Sequence, residues 1–261
     1  MNSNGFLLLI ASILFAAMIA VNILANALPI NGLSTGEVSN LYPSLFTPAG
    51  ITFSIWSVIY LLLCGYLITA WTNRSNTLTR KLLPLFCASC LLNSFWILAW
   101  HFLLPGLSVA IMLGLLSVLI VAFKKANTEK NLSMKLKIWT KLPFTIYLAW
   151  ISVATIANIA ALLVSLNWKG GFLSEQVWTV IMMSVAAGLA FVITARLRAF
   201  WFSAVIMWAL LGIFLKMRES DSEFIVYTSL LLIMILAINI LYSARNGKTI
   251  SSGTNQKFPL N

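Results

Sequence analysis

The chain has 261 residues, of which 61% are hydrophobic and 9% are charged. Its mean hydropathy of +0.95 lies outside the range of soluble domains, so the composition predicts an integral membrane protein. The formal net charge is +11, which in a soluble protein would suggest nucleic acid as a partner. In a membrane protein, Lys and Arg collect in cytoplasmic loops, so we expect the lipid bilayer, and no nucleic acid, as the partner.

Runs of about 20 apolar residues are long enough to cross the hydrocarbon core of a bilayer as α-helices. The chain contains eight such runs, which predict an all-α polytopic bundle of eight transmembrane helices. The predicted spans cover 6–28, 50–72, 82–103, 106–123, 142–166, 176–195, 199–216 and 223–243. Two boundaries depend on few residues: Pro105 and Gly106 separate the third span from the fourth, and Arg196 and Arg198 separate the sixth from the seventh.

The first hydrophobic run has two interpretations. Ala25-Asn26-Ala27 resembles the small-x-small site at which a signal peptide is cleaved. Residues 1–5, however, contain no Lys or Arg, and the run is long for a signal sequence, so a retained helix is favoured over cleavage of residues 1–27. Asn22 and Asn26 lie one turn apart in this run, and we expect them to hydrogen-bond a neighbouring helix.

The distribution of Lys and Arg predicts the orientation of the chain. Of the 17 such residues, 14 lie in the loops after the second, fourth and sixth spans and in the tail. The positive-inside rule then places both termini in the cytoplasm, and we expect the membrane to be a bacterial inner (plasma) membrane. The loop 29–45, which is rich in turn-forming residues, is predicted to face outward. The polar tail 246–261 is predicted to be disordered.

No Asp, Glu, Lys or Arg lies in the middle of any predicted span. Intramembrane ionisable residues mark proton relays, ion pathways and counter-ions, so their absence argues against an ion-coupled pump, a voltage sensor or a retinal protein. It also argues against an enzyme, because no paired carboxylates or base-activated nucleophile can form at membrane depth. Cys87 and Cys90 form a C-x-x-C motif without a second pair, and His101 is the single histidine, so no metal site is predicted.

Three of the predicted spans carry large aromatic residues on one helical face. In the second span these are Trp56 and Tyr60, four residues apart, and Pro48 precedes them where a helix could begin. The third and fifth spans add amides, which must find hydrogen bonds in hydrocarbon. The face of the third span consists of Asn93, Trp96 and Trp100, and that of the fifth of Tyr147, Trp150, Ala154 and Asn158. A stripe of aromatic residues on a membrane helix usually packs against neighbouring helices or forms a belt at the membrane interface. Such a belt lies at the ends of the spans, whereas Trp56, Asn93 and Asn158 lie well inside theirs.

These segments resemble the tryptophan-rich sensory protein or translocator protein family (TspO, the peripheral benzodiazepine receptor). The resemblance rests on Tyr42, Leu45, Pro48, Trp56 and Tyr60 in the first loop and second span, on Leu92, Asn93, Trp96, Trp100 and His101 in the third, and on Tyr147, Leu148, Trp150, Ala154 and Asn158 in the fifth. It covers residues 6–166, the five-helix core of that family. The chain lacks the loop lysine of the family and has Thr47-Pro48 in place of its Pro-Pro pair.

The last three spans have no counterpart in that five-helix core. The resemblance therefore divides the chain into a TspO-like core, 1–166, three additional helices, 167–245, and the polar tail, 246–261.

The resemblance implies a pocket that the five core helices enclose and the first loop covers, with Tyr42 and Pro48 in this lid. In the family, the pocket takes apolar or amphipathic ligands such as porphyrins, sterol-like molecules and benzodiazepine-type drugs. Trp150 and Ala154 match ligand-contacting positions, and Trp56 and Asn93 match pocket-lining positions. The expected ligand-binding residues are Trp56, Tyr60, Asn93, Trp96, Trp100, Tyr147, Trp150, Ala154 and Asn158. No cofactor is required, porphyrin or haem is a candidate ligand, and a homodimer is a further expectation.

The resemblance implies a membrane-embedded ligand-binding or sensory protein of the TspO type, and two other functions stay open. A small-molecule transporter or permease component needs no intramembrane acid, and the three additional helices are the reason to consider it. No clear internal repeat relates the two halves of the chain, which argues mildly against a repeat-built transporter. An enzyme that alters a bound porphyrin is the third candidate, and the lack of an acid or base inside the bundle argues against it.

Overall fold

The computed structural model describes residues 3–28, 30–129, 132–168, 170–220 and 222–252. Over these residues the chain is helical and contains no β-strand. The α-helices are α1 (Ser3–Ala27), α2 (Thr35–Asn40), α3 (Ile55–Thr72), α4 (Thr77–His101), α5 (Pro105–Thr128), α6 (Met134–Ser165), α7 (Glu175–Leu197), α8 (Phe200–Met217) and α9 (Glu223–Ser252). Two 3₁₀ turns lie at Ile30–Gly32 and Gly50–Ser54.

Eight of the helices in the described part of the chain, all except α2, are long and apolar enough to cross a membrane, as the sequence predicts. The protein is therefore an all-α integral membrane protein. In the second span, the 3₁₀ turn Gly50–Ser54 runs directly into α3, so the span starts at the predicted residue. Pro48 lies before this turn and its N-cap, Ala49, and so does not occupy the first helical position as expected.

Two helices begin well before the apolar runs that predict them. α4 begins at Thr77, where the side-chain oxygen of Asn76 accepts a hydrogen bond from the backbone N–H of Thr79. α6 begins at Met134, and the hydroxyl of Ser133 caps it in the same way. A capping side chain satisfies backbone donors of the first turn wherever the helix starts, so these helices extend past the hydrophobic spans into polar segments.

The two short connections that the sequence predicts are confirmed. α4 ends at His101, Leu103 adopts a left-handed conformation with φ of 55°, and Pro105 lies in the first turn of α5. Arg198, with φ of 53°, ends α7 by donating its backbone N–H to the carbonyl oxygen of Thr194. Both connections reverse the chain within a few residues, which makes the joined helices antiparallel neighbours.

The spans form two groups that meet at α6 and α8. In the first group, α4 lies between α1 and α5, and both α3 and α5 pack on α6. In the second group, α7, α8 and α9 pack on one another. α8 joins the groups because it contacts both α6 and the 3₁₀ turn Gly50–Ser54. The division of the chain at residue 166 stays a prediction.

Hydrogen bonds between spans supplement their packing. In a bilayer the hydrophobic effect does not drive helices together, because lipid tails are as apolar as the helix surfaces. Trp71 Nε1 donates to Ser12 Oγ at 3.0 Å and joins α3 to α1. Asn239 Nδ2 donates to the carbonyl oxygen of Phe191 at 2.9 Å and joins α9 to α7. Polar side chains therefore fix the helix pairs at particular points.

Cys64, Cys87 and Cys90 carry free thiols. Two further predictions concern the ends of the chain. α1 packs against α4, and its retention in the mature protein stays a prediction. α9 is described to Ser252, residues 253–261 lie outside the described part of the chain, and disorder of the tail 246–261 also stays a prediction.

Candidate functional site

The three aromatic faces predicted from the sequence converge on Trp56. Its ring stacks on Tyr60, with centroids 5.6 Å apart, and on Trp96 of α4, with centroids 5.9 Å apart. The rings of Tyr147 and Trp150 of α6 meet it edge-on at 6.0 and 6.2 Å. Offset stacking and edge-to-face contact are the favourable geometries of aromatic pairs, so Trp56 holds three helices together.

A chain of side-chain hydrogen bonds, which starts at two asparagines, connects to this aromatic cluster. Asn22 Nδ2 donates to Asn93 Oδ1 at 2.8 Å, and Asn93 Nδ2 donates to the hydroxyl of Tyr147 at 3.1 Å. This chain links α1, α4 and α6, and it confirms the expected role of Asn22 between helices. Asn26 instead bonds the carbonyl oxygen of Asn22 in its own helix. Because neighbouring side chains occupy the amide of Asn93, that residue positions the cluster from outside the cavity.

Asn158 has a different position from Asn93. Its Oδ1 accepts hydrogen bonds from Trp96 Nε1 at 3.1 Å and from the hydroxyl of Ser108, and its Nδ2 donates to the carbonyl oxygen of Ala154 at 3.0 Å. Unlike Asn93, it also lies on the wall of a cavity. Asn158 therefore orients the indole of Trp96 towards that cavity.

The cavity lies between α3, α4, α6 and the described loop residues 30–49, which we call the lid loop. Its volume is about 50 Å³. The predicted residues that line it are Tyr42, Pro48, Trp56, Trp96, Trp100, Trp150, Ala154 and Asn158. Thr35, Ser39 and Phe53 also line it and were missed in the sequence. Thr35 and Ser39 lie in the six-residue helix α2 and Phe53 in the 3₁₀ turn Gly50–Ser54, and elements this short give no clear periodic signal. Of the remaining predicted residues, Tyr60 lines a neighbouring groove, whereas Asn93 and Tyr147 lie buried behind the wall.

The indole N–H of Trp150 is the distinctive polar atom of this cavity. Trp150 is 2% exposed, and its Nε1 has no hydrogen-bond partner in the described structure. The two indoles that α4 contributes to the cavity both have hydrogen-bond partners. Trp96 donates its N–H to Asn158, and Trp100 donates to the carbonyl oxygen of Thr35 at 3.5 Å. Leaving a buried donor without a partner costs about 1–3 kcal/mol. An acceptor brought by a ligand would remove this cost.

A larger groove lies beside the cavity, between α1 and α3. Its volume is about 1020 Å³. Thr35, Phe53 and Trp56 line both spaces, so these three side chains form the partition between them. Leu61 and Ile23, which line the groove, are 72% and 58% exposed on the outer surface of the bundle. The groove therefore opens sideways, towards the position of the lipid.

The lid loop contains a short capped helix, α2, which packs on the aromatic wall. Ser34 and Glu37 form a capping box at the start of α2, and hydrogen bonds from the backbone N–H and hydroxyl of Ser34 lower the pKa of the Glu37 carboxyl. Beyond α2, the ring of Tyr42 lies 5.8 Å from that of Trp100. The predicted lid is thus an ordered element with its own local structure.

His101 fastens the lid loop to the end of α4. It is fully buried; its Nδ1 lies 3.2 Å from the carbonyl oxygen of Ile30, and its Nε2 lies 3.0 Å from the hydroxyl of Thr35. Because a carbonyl oxygen can only accept, Nδ1 carries the proton of the neutral ring, and Nε2 accepts a hydrogen bond from the hydroxyl of Thr35. Both ring nitrogens are therefore engaged by the loop. The described residues contain no group of three or more His, Cys, Asp or Glu side chains placed to hold a metal ion.

The last three spans hold the lid loop from the opposite side. Glu175 Oε1 accepts a hydrogen bond from the backbone N–H of Leu45 at 3.2 Å. The carbonyl oxygen of Gly212 accepts one from Ala49 at 3.0 Å. Nothing in the sequence predicted this role, since each contact joins residues more than a hundred positions apart in the chain.

The fold and the site together define a class of protein: a polytopic helical membrane protein whose spans enclose an aromatic cavity beneath a loop. Residues 8–242 match the family model described as TSPO-like protein, and the chain belongs to this family. The match continues beyond α6 through most of α9, so it includes the three spans that have no counterpart in the five-helix core. Comparisons with curated proteins and with solved structures find no match.

Proposed function

We propose that this protein binds an apolar or aromatic small molecule, porphyrin-like or sterol-like, in the aromatic cavity beneath the lid loop. The observation that carries the proposal is the indole N–H of Trp150, which is buried at the cavity wall without a partner. Stacked and edge-on rings around it offer π surfaces to a flat ligand, and the N–H offers one oriented donor. The ligand-binding residues are those of the cavity wall, with Tyr60 on the side of the groove.

Binding requires the cavity to expand. Its volume of about 50 Å³ is well below the 300–1,000 Å³ typical of small-molecule pockets. The adjacent groove supplies about 1020 Å³, and Thr35, Phe53 and Trp56 line both spaces. We propose that a ligand arrives from the lipid through the groove and displaces the side chain of Trp56 to join the spaces.

The proposed function is binding or sensing without chemistry on the ligand. The spans carry no Asp, Glu, Lys or Arg in their middle sections, and the hydroxyl of Tyr147 and the amides of Asn93 and Asn158 are engaged with one another or with neighbouring helices. General acid–base catalysis needs a group with a pKa near the working pH, and hydroxyls and amides do not provide one. No cofactor is part of the proposal, and porphyrin or haem enters it only as a ligand.

We propose an orientation with both termini in the cytoplasm, in a bacterial inner membrane. A cleft of about 330 Å³ at the end of the bundle remote from the lid loop is lined by Arg74, Arg80 and Lys81. This end is cytoplasmic if the positive-inside rule holds. The lipid bilayer is then the partner of the exposed apolar surface, and a homodimer is the proposed assembly. No nucleic acid is part of the proposal.

The experiment is a titration of the protein in lipid nanodiscs with a porphyrin, followed by quenching of Trp fluorescence. Trp150→Ala is expected to weaken binding by roughly two- to tenfold, because an aromatic pair contributes about 0.5–1.5 kcal/mol. Trp201→Phe, which alters a 58% exposed indole on α8, is the matched control and is expected to retain the affinity of the parent. Equal affinity in Trp150→Ala and the parent would show that the ligand binds elsewhere.

Transport is the second candidate function. The observation that favours it is the position of the cavity, between a groove that opens towards lipid and a lid loop at one end of the bundle. Such an arrangement would connect the bilayer to the aqueous side if the loop moved. Uptake or efflux of the ligand by vesicles that contain only this protein would support transport, and tight binding without flux would reject it.

A further inference from the structure

A second cavity lies on the other side of α6, between this helix, α7 and the lid loop. Its volume is about 390 Å³, within the range of small-molecule sites. Its apolar part is lined by Ile156, Leu163 and Val164 of α6 and by Met182 of α7. The cavity therefore already has room for a ligand without any movement of the partition around Trp56.

The corner between α6 and α7 gives this cavity a fixed aromatic wall. Gly170 has φ of 85°, a conformation that strains any residue with a side chain, and its carbonyl oxygen accepts a hydrogen bond from Trp178 Nε1 at 2.8 Å. The ring of Trp178 meets that of Trp168 at 5.4 Å. Both indoles line the cavity. Because the turn and the hydrogen bond hold Trp178 in place, the aromatic wall exists before any ligand arrives.

Glu175 gives the cavity its charge. Among the described residues, it is the charged side chain that lines this space. Its Oε1 is engaged by the backbone N–H of Leu45, whereas its Oε2 has no hydrogen-bond partner in the described part of the chain. A carboxylate beside two indole rings is complementary to an organic cation, which gains an ion pair from the carboxylate and cation–π attraction from the rings.

We propose that this cavity is a second ligand site, which binds an amphiphile with a protonated amine head and an apolar body. The amine meets Glu175 and the indoles of Trp168 and Trp178, and the apolar body lies along Ile156 and Leu163 of α6. A neutral amphiphile of the same length would gain only the apolar contacts. The site therefore selects by charge.

The second site is separate from the aromatic cavity, although they share two structural elements. α6 presents Trp150 and Ala154 to the aromatic cavity, and Ile156 and Leu163 to the second. The lid loop likewise divides its side chains between them, since Pro48 lines the first cavity and Phe46 lines the second. The amine site does not depend on the function proposed for the aromatic cavity, and the two are tested with different probes.

The test is photolabelling in phosphatidylcholine nanodiscs with a long-chain primary amine that carries a diazirine in its chain. The alcohol of the same chain length is the comparison probe. Mass spectrometry is expected to find amine labels in residues 156–182, and excess unlabelled amine is expected to displace them. Glu175→Gln can still accept the hydrogen bond from Leu45. In this variant, the concentration of unlabelled amine that displaces the label is expected to rise about two- to fivefold, and labelling by the alcohol is expected to stay unchanged.

Two further variants sharpen this test. Ala160→Trp fills the cavity and is expected to abolish labelling in residues 156–182 while quenching by porphyrin persists. Glu219→Gln removes an exposed carboxylate outside the cavity and is expected to change nothing. The proposal would be overturned if amine and alcohol labelled equally, or if the amine competed equally in Glu175→Gln and the parent. Either result would show that the cavity accepts any lipid chain without selecting its charge. No displaceable label between α6 and α7 would equally overturn it.

Discussion

Trp208 of α8 donates its indole N–H to the backbone carbonyl oxygen of Thr52 at 2.9 Å. These residues are 156 positions apart, and their contact connects the last three spans to the turn from which α3 starts. One helical turn further along α8, the carbonyl oxygen of Gly212 accepts the N–H of Ala49. The last three spans therefore fix the end of the lid loop next to the aromatic cavity, and this role can be tested directly.

Trp208→Phe is expected to loosen the lid loop, because the variant retains an aromatic ring and loses the N–H donor. A typical hydrogen bond contributes about 0.5–1.5 kcal/mol net, so the amides of residues 45–54 should exchange with solvent deuterium roughly two- to tenfold faster. Hydrogen exchange in nanodiscs with peptide resolution measures this. Trp201→Phe, in the same helix but exposed, is the control. Identical exchange in Trp208→Phe and the parent would show that the contact does not hold the loop.

Gly212→Ala is expected to destabilise the protein by about 1–3 kcal/mol, because overpacking of a close contact costs that much. A Cβ at Gly212 would collide with the side chains of Thr52 and Pro48. Gly188→Ala in α7 is the matched control: a Cβ there meets nothing within 4 Å, and Ala favours a helix by up to about 1 kcal/mol over Gly. Unfolding in a detergent titration should therefore move in opposite directions for the two variants. A shift in the same direction would contradict the close approach of α8 to the lid loop.

Asn93 and Tyr147 are expected to show an energetic coupling in a double-mutant cycle of Asn93→Ala and Tyr147→Phe. Their hydrogen bond is 3.1 Å long and buried between α4 and α6. Bonds of this kind in membrane helices contribute about 0.6 kcal/mol on average and up to about 1.7 kcal/mol. The control cycle combines Asn93→Ala with Tyr227→Phe, which alters a 65% exposed residue of α9, and the effects of these two substitutions are expected to be additive. Additivity of Asn93→Ala and Tyr147→Phe would mean that the chain of side-chain hydrogen bonds does not join the helices.

His101→Phe is expected to release the start of the lid loop, since the variant removes both contacts of the imidazole ring with Ile30 and Thr35. The carbonyl oxygen of Ile30 keeps a long hydrogen bond from the backbone N–H of Leu33, at 3.5 Å, so the loss is that of the imidazole contacts, about 0.5–1.5 kcal/mol for each hydrogen bond. Amide exchange should therefore accelerate in residues 30–40 more than in residues 45–54. Faster exchange in residues 45–54 than in residues 30–40, or unchanged exchange in both, would show that His101 does not hold the start of the loop.

Much of the fold follows from the sequence. Each span is an apolar run of membrane-crossing length. Run length, together with the breaks at Pro105-Gly106 and at Arg196 and Arg198, predicts all eight. Helical periodicity also predicts that Trp96 shares a helical face with Asn93 and Trp100, and Trp150 with Tyr147 and Ala154, because residues three, four and seven apart lie on one face. The resemblance to the TspO family, and not the periodicity, implies that these faces line one pocket, and in the structure they meet at Trp56.

The lid contacts and the second cavity do not follow from the sequence. Trp208 and Gly212 lie in an apolar run where nothing distinguishes an indole that bonds a distant carbonyl from one that faces lipid. No sequence pattern links Glu175 to Leu45, because their contact depends on how two loops meet. Cavity volume likewise depends on packing between helices, which periodicity within one helix does not describe.

The account depends most directly on the indole N–H of Trp150, and ¹⁵N-labelled tryptophan reports on that group. The chain has ten Trp residues, so an indole ¹⁵N–¹H spectrum in nanodiscs has few signals, and Trp150→Phe identifies the one that disappears. On addition of a porphyrin with carboxylate side chains, we expect this signal to move downfield, as hydrogen bonding to an acceptor requires, while the signal of Trp201 stays in place. A Trp150 signal that does not move when porphyrin is demonstrably bound would contradict the proposed site.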